Sequence, residues 1–427
     1  MNNFKRFAAV FLILCFMVAF SSCAEDSPQE VTKSESTTQN TVDETNEEIA
    51  VLSLEKEYIC HYEWYGDYPE MLVRSEYTDV ALNEASGKEY PLLAKALSET
   101  SVMRRRAMDE EKDNFIVDAT QAFLDNRESF STYVSTLDVQ VRRADSVAVS
   151  VLEDYATESF RSFNSLNYDT QSGALLYLSD VVRDVEKLPA IVEKEVTSHM
   201  WQGEFNEETA IPDYFENTSQ DDITWVLDYN GITFYFNPGA IAPTNFGIQT
   251  ATVTFAQYPD LFSEKYTAVP DAYVVSLPTA SSFFTDLTGD GKSEELIVSG
   301  NYDPDGRFYY TLGVYSDKSD YEVDWFSYDL NPYFVKTADG DSFLYVFSDG
   351  DEVEDRQMTL IVFSLENGEI KQVSETDMGL LYKGNNVFAL PTDPENLLLS
   401  GDTATDSVFT VGENGVPVKK DSVNPAE

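Results

Sequence analysis

The spacing of apolar and polar residues between positions 51 and 267 predicts a series of strands. Apolar residues that alternate with polar ones are typical of strands with one buried face. On this pattern strands are predicted at Leu54–Tyr65, Leu72–Asn83, Leu137–Arg142, Ser146–Val151, Trp225–Tyr229 and Ile232–Phe236. The third and fourth are predicted to pair antiparallel. The last two flank Asn230-Gly231, a pair typical of tight hairpins.

Helical spacing is found in the same region. Apolar residues three and four positions apart predict one long helix from Pro91 to Asp125, and a second helix is predicted near Pro189, because proline fits a first helical turn. The three consecutive arginines at 104–106 are predicted to lie on a solvated face of the long helix, paired with Asp109 and Glu110; a binding patch is the alternative. Strands and helices together predict an α+β module over residues 51–267.

From residue 268 to residue 402 the pattern is one strand after another. Strands are predicted at Tyr273–Leu277, Phe283–Phe284, Leu296–Ser299, Phe308–Tyr315, Val323–Tyr328, Phe343–Phe347 and Thr359–Phe363. Turn-forming residues separate them, so this region is predicted to be an all-β domain. Its spacing suits a sandwich or propeller-like blades, and both stay open. The polar residues 403–427 are predicted to form a flexible tail.

The first fifty residues predict export. Lys5 and Arg6 precede an apolar run, Phe7–Phe20, which is shorter than the roughly 20 residues of a membrane span and is typical of a signal peptide over residues 1–22. Ser21-Ser22-Cys23 resembles the bacterial lipobox, which implies that Cys23 is lipidated and anchors the chain to the outer face of the cell membrane. The alternative is an ordinary signal peptide cleaved nearby. Residues 23–50 are polar and are predicted to be a disordered linker.

The composition is strongly acidic. With 76 Asp and Glu residues against 28 Lys and Arg residues, the formal net charge is −48. A field of this sign repels nucleic acid and anionic lipid headgroups, so the predicted partners are cations, either metal ions or basic proteins. The alternative is that the acidic surface serves solubility alone.

Cysteine and histidine give little sign of catalysis. Cys60 lies in an apolar, strand-like segment and is predicted to be a buried inert thiol, with His61 on the opposite face of the strand. His61 and His199 lack the spacing of a zinc site, and the chain has no nucleophile elbow or phosphate loop. We therefore expect a protein that is not an enzyme, with a pair of carboxylates acting on glycan as the open alternative.

Two segments carry a family resemblance. They are Asn167-Tyr168-Asp169, continuing to Gly173 and Leu178-Ser179-Asp180, and Phe234-Tyr235-Phe236-Asn237-Pro238-Gly239-Ala240-Ile241-Ala242-Pro243. Together they resemble the RsiV-like extracellular domain. The preceding strands and helix resemble the companion domain of a peptidoglycan deacetylase. The resemblance implies an envelope-facing module that binds a ligand, and in anti-sigma-V factors that ligand is lysozyme. The sigma-factor-binding segment, the membrane helix and the catalytic module of those families are not expected here.

The strongest motif in the all-β region is Asp286-Leu287-Thr288-Gly289-Asp290-Gly291-Lys292-Ser293-Glu294-Glu295. Oxygen donors at alternate positions, with glycine sixth and a carbonyl seventh, form the first part of a calcium loop. The segment resembles the calcium loops of integrin-type repeats, in which an acid at the ninth position closes the shell. The predicted ligands are therefore Asp286, Thr288, Asp290, the carbonyl of Lys292, and Glu294 or Glu295. The alternative is a calcium-free glycine-rich turn.

These observations predict a lipid-anchored surface protein that binds or senses an envelope component, peptidoglycan or a lysozyme-like basic protein, with one structural Ca²⁺. A glycan-acting enzyme and a structural spacer are the competing interpretations.

Overall fold

The computed structural model describes residues 49–66, 70–200, 205–206, 210–303, 308–350, 358–401 and 407–420. The predicted signal peptide, the predicted lipidation site Cys23 and almost all of the predicted linker lie outside the described residues. The protein is 24% helical and 45% strand, which agrees with the predicted α+β class. Within the described ranges, no helix is both long and apolar enough to cross a membrane.

Six α-helices are described. They are α1 (Glu84–Glu89), α2 (Pro91–Asp125), α3 (Leu178–Val181), α4 (Leu188–Thr197), α5 (Ala210–Asn217) and α6 (Glu264–Thr267). The long helix α2 has the predicted bounds, because Pro91 occupies its first turn and an apolar stripe that includes Leu93 and Phe123 holds it against the sheet. The predicted helix near Pro189 is α4.

The strands run through the whole described chain. They are β1 (Leu54–Trp64), β2 (Met71–Leu82), β3 (Tyr133–Ala144), β4 (Ala148–Thr157), β5 (Phe160–Asp169), β6 (Trp225–Leu227), β7 (Gly231–Phe236), β8 (Gln249–Thr254), β9 (Tyr273–Ser276), β10 (Phe283–Thr285), β11 (Glu294–Ser299), β12 (Tyr302–Asp303), β13 (Phe308–Ser316), β14 (Asp320–Ser327), β15 (Asp329–Lys336), β16 (Ser342–Asp349), β17 (Met358–Ser364), β18 (Lys371–Thr376), β19 (Gly379–Leu380), β20 (Tyr382–Gly384), β21 (Val387–Ala389), β22 (Leu397–Ser400), β23 (Ser407–Val411) and β24 (Pro417–Lys419). They form five sheets.

The first sheet has the order β20-β21-β1-β2-β3-β4-β5. Helix α2 connects β2 to β3, which run parallel, and the predicted antiparallel pairing of β3 with β4 is confirmed. The strands β20 and β21 come from the region assigned to the second domain, and β21 pairs with Glu55–Glu57 of β1. The division at residue 267 stays a prediction, but the two regions share this sheet.

A smaller sheet, β6-β7-β8, contains the predicted hairpin. Trp225 faces Phe234 in antiparallel register on either side of Asn230-Gly231. One face of this sheet packs with α3, α4 and α5 around a single apolar core, which includes Val192, Ile211 and Phe234. These elements form a compact module, which we call the helix–hairpin module (residues 178–254).

Asparagine side chains join the helix–hairpin module to the edge of the first sheet. The amide of Asn167 on β5 donates to the carbonyl of Trp225 at 2.8 Å and accepts from the backbone N–H of Leu227 at 2.9 Å. Asn237 bonds both backbone groups of Phe163 at 2.7 and 2.9 Å. These hydrogen bonds pair backbone N–H and carbonyl groups of β5 and β6, two edge strands whose backbone groups would otherwise lack partners. Two residues of the resemblance segments therefore have a structural role.

The C-terminal region is a sandwich. The sheets β10-β11-β13-β12, with β14 beside β13, and β18-β17-β16-β15-β9 enclose one apolar core. On β16, Leu344 and Val346 point into this core, whereas Phe343, Tyr345 and Phe347 point into the core shared with the first sheet. The sheet of β16 is thus buried on both faces, and the sandwich, rather than propeller blades, is what the residues form.

Two expectations for this region were wrong or incomplete. Strands β23 and β24 lie where a flexible tail was predicted, and Phe409 of β23 is buried in the shared core. Strand β15 was missed because Pro332 interrupts its pattern. The carbonyl of Pro332 points toward β9, because it accepts from the backbone N–H of Leu277, just after β9 ends. The nitrogen of Pro332 points to the same side. The missing N–H therefore removes no hydrogen bond between β15 and β16.

Candidate calcium site

The predicted calcium loop connects two antiparallel strands of the sandwich. Thr285 at the end of β10 faces Glu294 at the start of β11, so residues 286–293 form a hairpin loop. Gly289 and Gly291 have φ values of 75° and 82°, in the left-handed region that favours glycine. The sharp turns of the loop therefore depend on these two glycines.

Three carboxylates converge inside the loop. One oxygen each from Asp286, Asp290 and Glu294 lies within 4.8 Å of the others. Calcium binds oxygen ligands at roughly 2.3–2.6 Å, so ligands on opposite sides of one ion are about 5 Å apart. The spacing therefore suits a single Ca²⁺ between them. The Thr288 hydroxyl lies at the same place, because it donates to Glu294 Oε1 at 3.2 Å.

Backbone N–H groups hold these carboxylates in position. Asp286 accepts from Gly289 at 2.6 Å and from Gly291 at 2.9 Å, and Asp290 accepts from Lys292 at 2.9 Å. Glu294 accepts from Leu287 at 2.8 Å. Each carboxylate is oriented by the loop itself, and each keeps lone pairs free for a cation.

The structure separates the two candidate acids at the ninth and tenth positions. Glu294 lies with the loop carboxylates, whereas the neighbouring Glu295 points to the other face of β11 and accepts a hydrogen bond from the Ser282 hydroxyl. Lys292 is predicted to contribute only its carbonyl oxygen. Its ammonium lies 3.9 Å from Asp290 Oδ2 on a side chain that is 78% exposed, so it can swing away from an incoming cation.

The calcium loop is tied to the helix–hairpin module through β10. The Asn230 side chain donates to the carbonyl of Phe284 at 2.8 Å, and the His199 ring packs on the Phe284 ring with 4.9 Å between centroids. Phe284 precedes the first predicted ligand by two residues. The position of the loop is therefore fixed by contacts from outside the sandwich.

A second charged region, which was not predicted from the sequence, lies beneath α2. Arg104 is buried and bonds both Asp79 and Glu153, with 2.9 Å from its Nε to Glu153. Arg105 bonds Asp79 at 2.8 Å. Of the three arginines, Arg106 pairs with Glu110 on the exposed face as predicted; the prediction was wrong for Arg104. The spacing of residues along α2 could have predicted this burial, because Arg104 lies at a helical interval from the buried Leu97 and Thr100.

The prediction of a buried Cys60 was also wrong, because its side chain is exposed. Strand β21 pairs only with Glu55–Glu57 of β1, so the part of β1 that contains Cys60 lies beyond the end of β21 and pairs with β2 alone. A small cleft of about 170 Å³ lies nearby, with His61 and Lys112 among its lining residues. A shallower cleft of about 380 Å³ lies on the helix–hairpin module, lined by residues that include Asp213 and Tyr214.

Comparison with known proteins finds a family model that matches the helix–hairpin module. The family described as a protein of unknown function, DUF3298, matches residues 179–256, which coincide with α3 to β8. This match lies within the region predicted to resemble the RsiV-like domain and is consistent with that resemblance. No curated protein matches the chain.

Two solved structures are similar to about half of this chain. A DUF3298 family member from Bacteroides fragilis is 13% identical, with a TM-score of 0.39, and the similarity covers 51% of this chain and 96% of that one. A DUF3298 family protein from Pseudomonas aeruginosa is 12% identical, with a TM-score of 0.34, and the corresponding shares are 51% and 97%.

Proposed function

We propose that this protein is a calcium-stabilised binding or sensing protein, held by lipid at Cys23 on the outer face of a bacterial cell membrane. The observation that carries the calcium part is the convergence of Asp286, Asp290 and Glu294 within 4.8 Å. The Thr288 hydroxyl and the Lys292 carbonyl would complete an oxygen-only shell. Such a shell suits a hard cation, and a shell made of several protein oxygens favours Ca²⁺ over the smaller, octahedral Mg²⁺, which usually keeps several waters.

Thermal unfolding of the purified protein tests the calcium proposal. Calcium should raise the melting temperature of the wild type, because a ligand that binds the folded state stabilises it. The Asp290→Ala variant should lose this shift, whereas Glu295→Gln, a change next to the site, should keep it. A calcium shift of equal size in wild type and Asp290→Ala would contradict the proposal.

We propose that the ligand is a basic protein, such as a lysozyme-like enzyme, or a component of the envelope. The support is the net charge of −48, together with the match of residues 179–256 to DUF3298 beside the RsiV-like resemblance. A field of this sign accelerates encounter with a cationic partner. Pull-down with lysozyme over a salt series tests this. Specific contacts would survive moderate salt, whereas capture that disappears there is charge attraction alone.

The anchor and the absence of catalysis are separate proposals. Labelling of growing cells with palmitate should mark the wild type and not Cys23→Ser. Incubation with peptidoglycan, followed by analysis of released fragments, should yield none. Released fragments would favour the glycan-acting alternative, in which two carboxylates act as acid and base or nucleophile.

A further inference from the structure

The outer surface of strands β13 and β14 has an unusual composition. Residues of β14 alternate, so that Tyr321, Val323 and Trp325 pack toward the sandwich core. The residues between them point outward and are exposed. We define the aromatic–acidic face as Phe308, Tyr310, Asp320, Glu322, Asp324 and Phe326.

The aromatic part of this face includes rings in direct contact with one another. Tyr310 is 50% exposed and Phe326 is 49% exposed, although the outer face of an antiparallel sheet is ordinarily polar. Phe308 and Phe326 have ring centroids 4.7 Å apart, and Phe326 packs edge-on against Tyr328 at 5.1 Å. Clustered exposed aromatic residues mark interaction sites more often than single ones do, and aromatic side chains are enriched in interfaces.

The acidic part continues the same face along β14. Within the described ranges, none of the carboxylates of Asp320, Glu322 and Asp324 forms an ion pair with a lysine or arginine of the chain. Alternate residues of a strand are about 6.5 Å apart. Among the described residues, the carboxylates that approach within 4.8 Å of one another as a metal-sized group are those of Asp286, Asp290 and Glu294, and the row on β14 is not part of that group.

Strand β14 is also an edge. It pairs with β13, and no other described strand pairs with it. Charged residues on an edge often serve to prevent aggregation, which would explain the acids but not the exposed aromatic cluster beside them. A surface that combines both features complements a partner with cationic groups around an apolar contact.

From these features we infer that the aromatic–acidic face is the docking surface for a basic protein that presents arginine side chains. Guanidinium groups would pair with the carboxylates of Asp320, Glu322 and Asp324 and stack on the rings of Tyr310 and Phe326. The inference rests on the proposed function, because it says where on the chain a basic partner binds. It places the contact on the sandwich and not on the helix–hairpin module.

Surface-immobilised lysozyme serves as the arginine-bearing probe, and binding of the full-length protein is measured at low and moderate salt. In one variant, Tyr310→Ser is combined with Phe326→Ser. In a second, Asp320→Asn, Glu322→Gln and Asp324→Asn are combined. A control removes three exposed acids elsewhere, by Asp118→Asn, Glu128→Gln and Glu158→Gln. Melting temperatures confirm that each variant is folded.

We expect Kd to rise about tenfold or more in each face variant, as for residues at the centre of an interface. The Kd of the control variant should rise by less than about threefold, since charges far from the contact act mainly on the rate of encounter. The aromatic variant should keep its defect at moderate salt. An equal loss of affinity in the acidic variant and the control would overturn the docking surface, because binding would then depend on overall charge alone. Unchanged binding of the aromatic variant would overturn it too. If wild type does not bind lysozyme, the proposal of a basic partner itself fails.

Discussion

Two groups of acidic residues in this protein are neutralised in different ways. Beneath α2 and within the first sheet, acids contact buried cations of the same chain: the buried Asp79 and Glu153 bond Arg104, and the half-buried Asp138 accepts from the buried Lys56 at 2.6 Å. In the calcium loop, Asp286, Asp290 and Glu294 are held mainly by backbone N–H groups. Among the described residues, the ammonium of Lys292 at 3.9 Å is the cation that pairs with this loop.

The first group of acids is neutralised by cations of the chain and stabilises the fold. The second group has little positive charge nearby and suits a cation from solution. Burial alone would raise the pKa of Asp138, but the charge of Lys56 and a hydrogen bond from Thr78 hold that pKa below its ordinary value. The carboxylate is therefore satisfied within the chain. Three carboxylates that approach within 4.8 Å repel one another, and a bound Ca²⁺ would offset that repulsion.

The largest expected effect comes from removing a buried internal cation. Arg104→Met removes the cation that contacts the buried Glu153 and one of the two arginines that contact the buried Asp79, which should reduce the free energy of unfolding by about 3–5 kcal/mol. Arg106→Met, two residues away on the exposed face, should cost less than about 1 kcal/mol. Urea denaturation measures both. Equal effects would mean that the charges beneath α2 are not part of what holds the fold.

The next effect concerns the acid that closes the calcium loop. Glu294→Gln should leave the calcium-free protein nearly unchanged and abolish its stabilisation by calcium, which for a site at a hundredfold excess over Kd is about 2.7 kcal/mol. Glu295→Gln is the matched control, because that side chain bonds Ser282 outside the loop. Melting curves with calcium and with chelator decide between them. A lost calcium response in Glu295→Gln would show that the two glutamates were assigned the wrong way round.

A smaller effect is expected from a variant that should strengthen calcium binding instead of removing it. Thr288→Asp adds a fourth carboxylate to the loop, so the calcium-free protein should become less stable through repulsion while calcium affinity rises by about tenfold, about 1.4 kcal/mol. Calorimetric titration gives the affinity. A variant that binds calcium no more tightly than wild type would indicate that residue 288 points away from the ion.

The smallest effect is a pH dependence of the internal region. Burial raises the pKa of Glu111 above its ordinary value, although hydrogen bonds from Tyr155 and Ser135 oppose the shift. The folded state therefore binds this proton more tightly than the unfolded state does. The stabilisation is complete below the unfolded pKa and is lost as pH rises through the folded pKa.

Glu111→Gln stays neutral at every pH and should remove this dependence. The free energy of unfolding of the variant, minus that of wild type, should increase as pH rises. Asp113→Asn, an exposed neighbour on α2, should show no such trend. Denaturation curves over a pH series measure the difference. Parallel profiles for Glu111→Gln and wild type would contradict the assignment.

The sequence predicted those elements that are determined by residues close to them in the chain. Helix α2 was predicted at both ends because Pro91 starts it and its apolar spacing continues to Phe123. The sharp turns of residues 286–293 were predictable because Gly289 and Gly291 stand at fixed positions of the motif, whereas its binding of calcium stays a prediction. The choice between Glu294 and Glu295 follows from the alternation of β11, since Leu296 and Val298 face the core.

Features that depend on distant partners were not predictable in this way. Strands β20 and β21 are short, and their pairing partner β1 lies at the other end of the described chain. Arg104 was assigned to solvent because its charge was weighed and its position on the buried stripe was not. The aromatic–acidic face was read only as two strands, because a sequence pattern does not say which outward residues stay uncovered.

Calcium titration of the purified protein by isothermal calorimetry tests the central claim most directly. Wild type should bind one Ca²⁺ per chain, and the double variant Asp286→Asn with Asp290→Asn should lose this binding while unfolding at the same temperature as calcium-free wild type or higher. Binding of equal stoichiometry and affinity by the double variant would contradict the claim that the calcium loop takes an external cation.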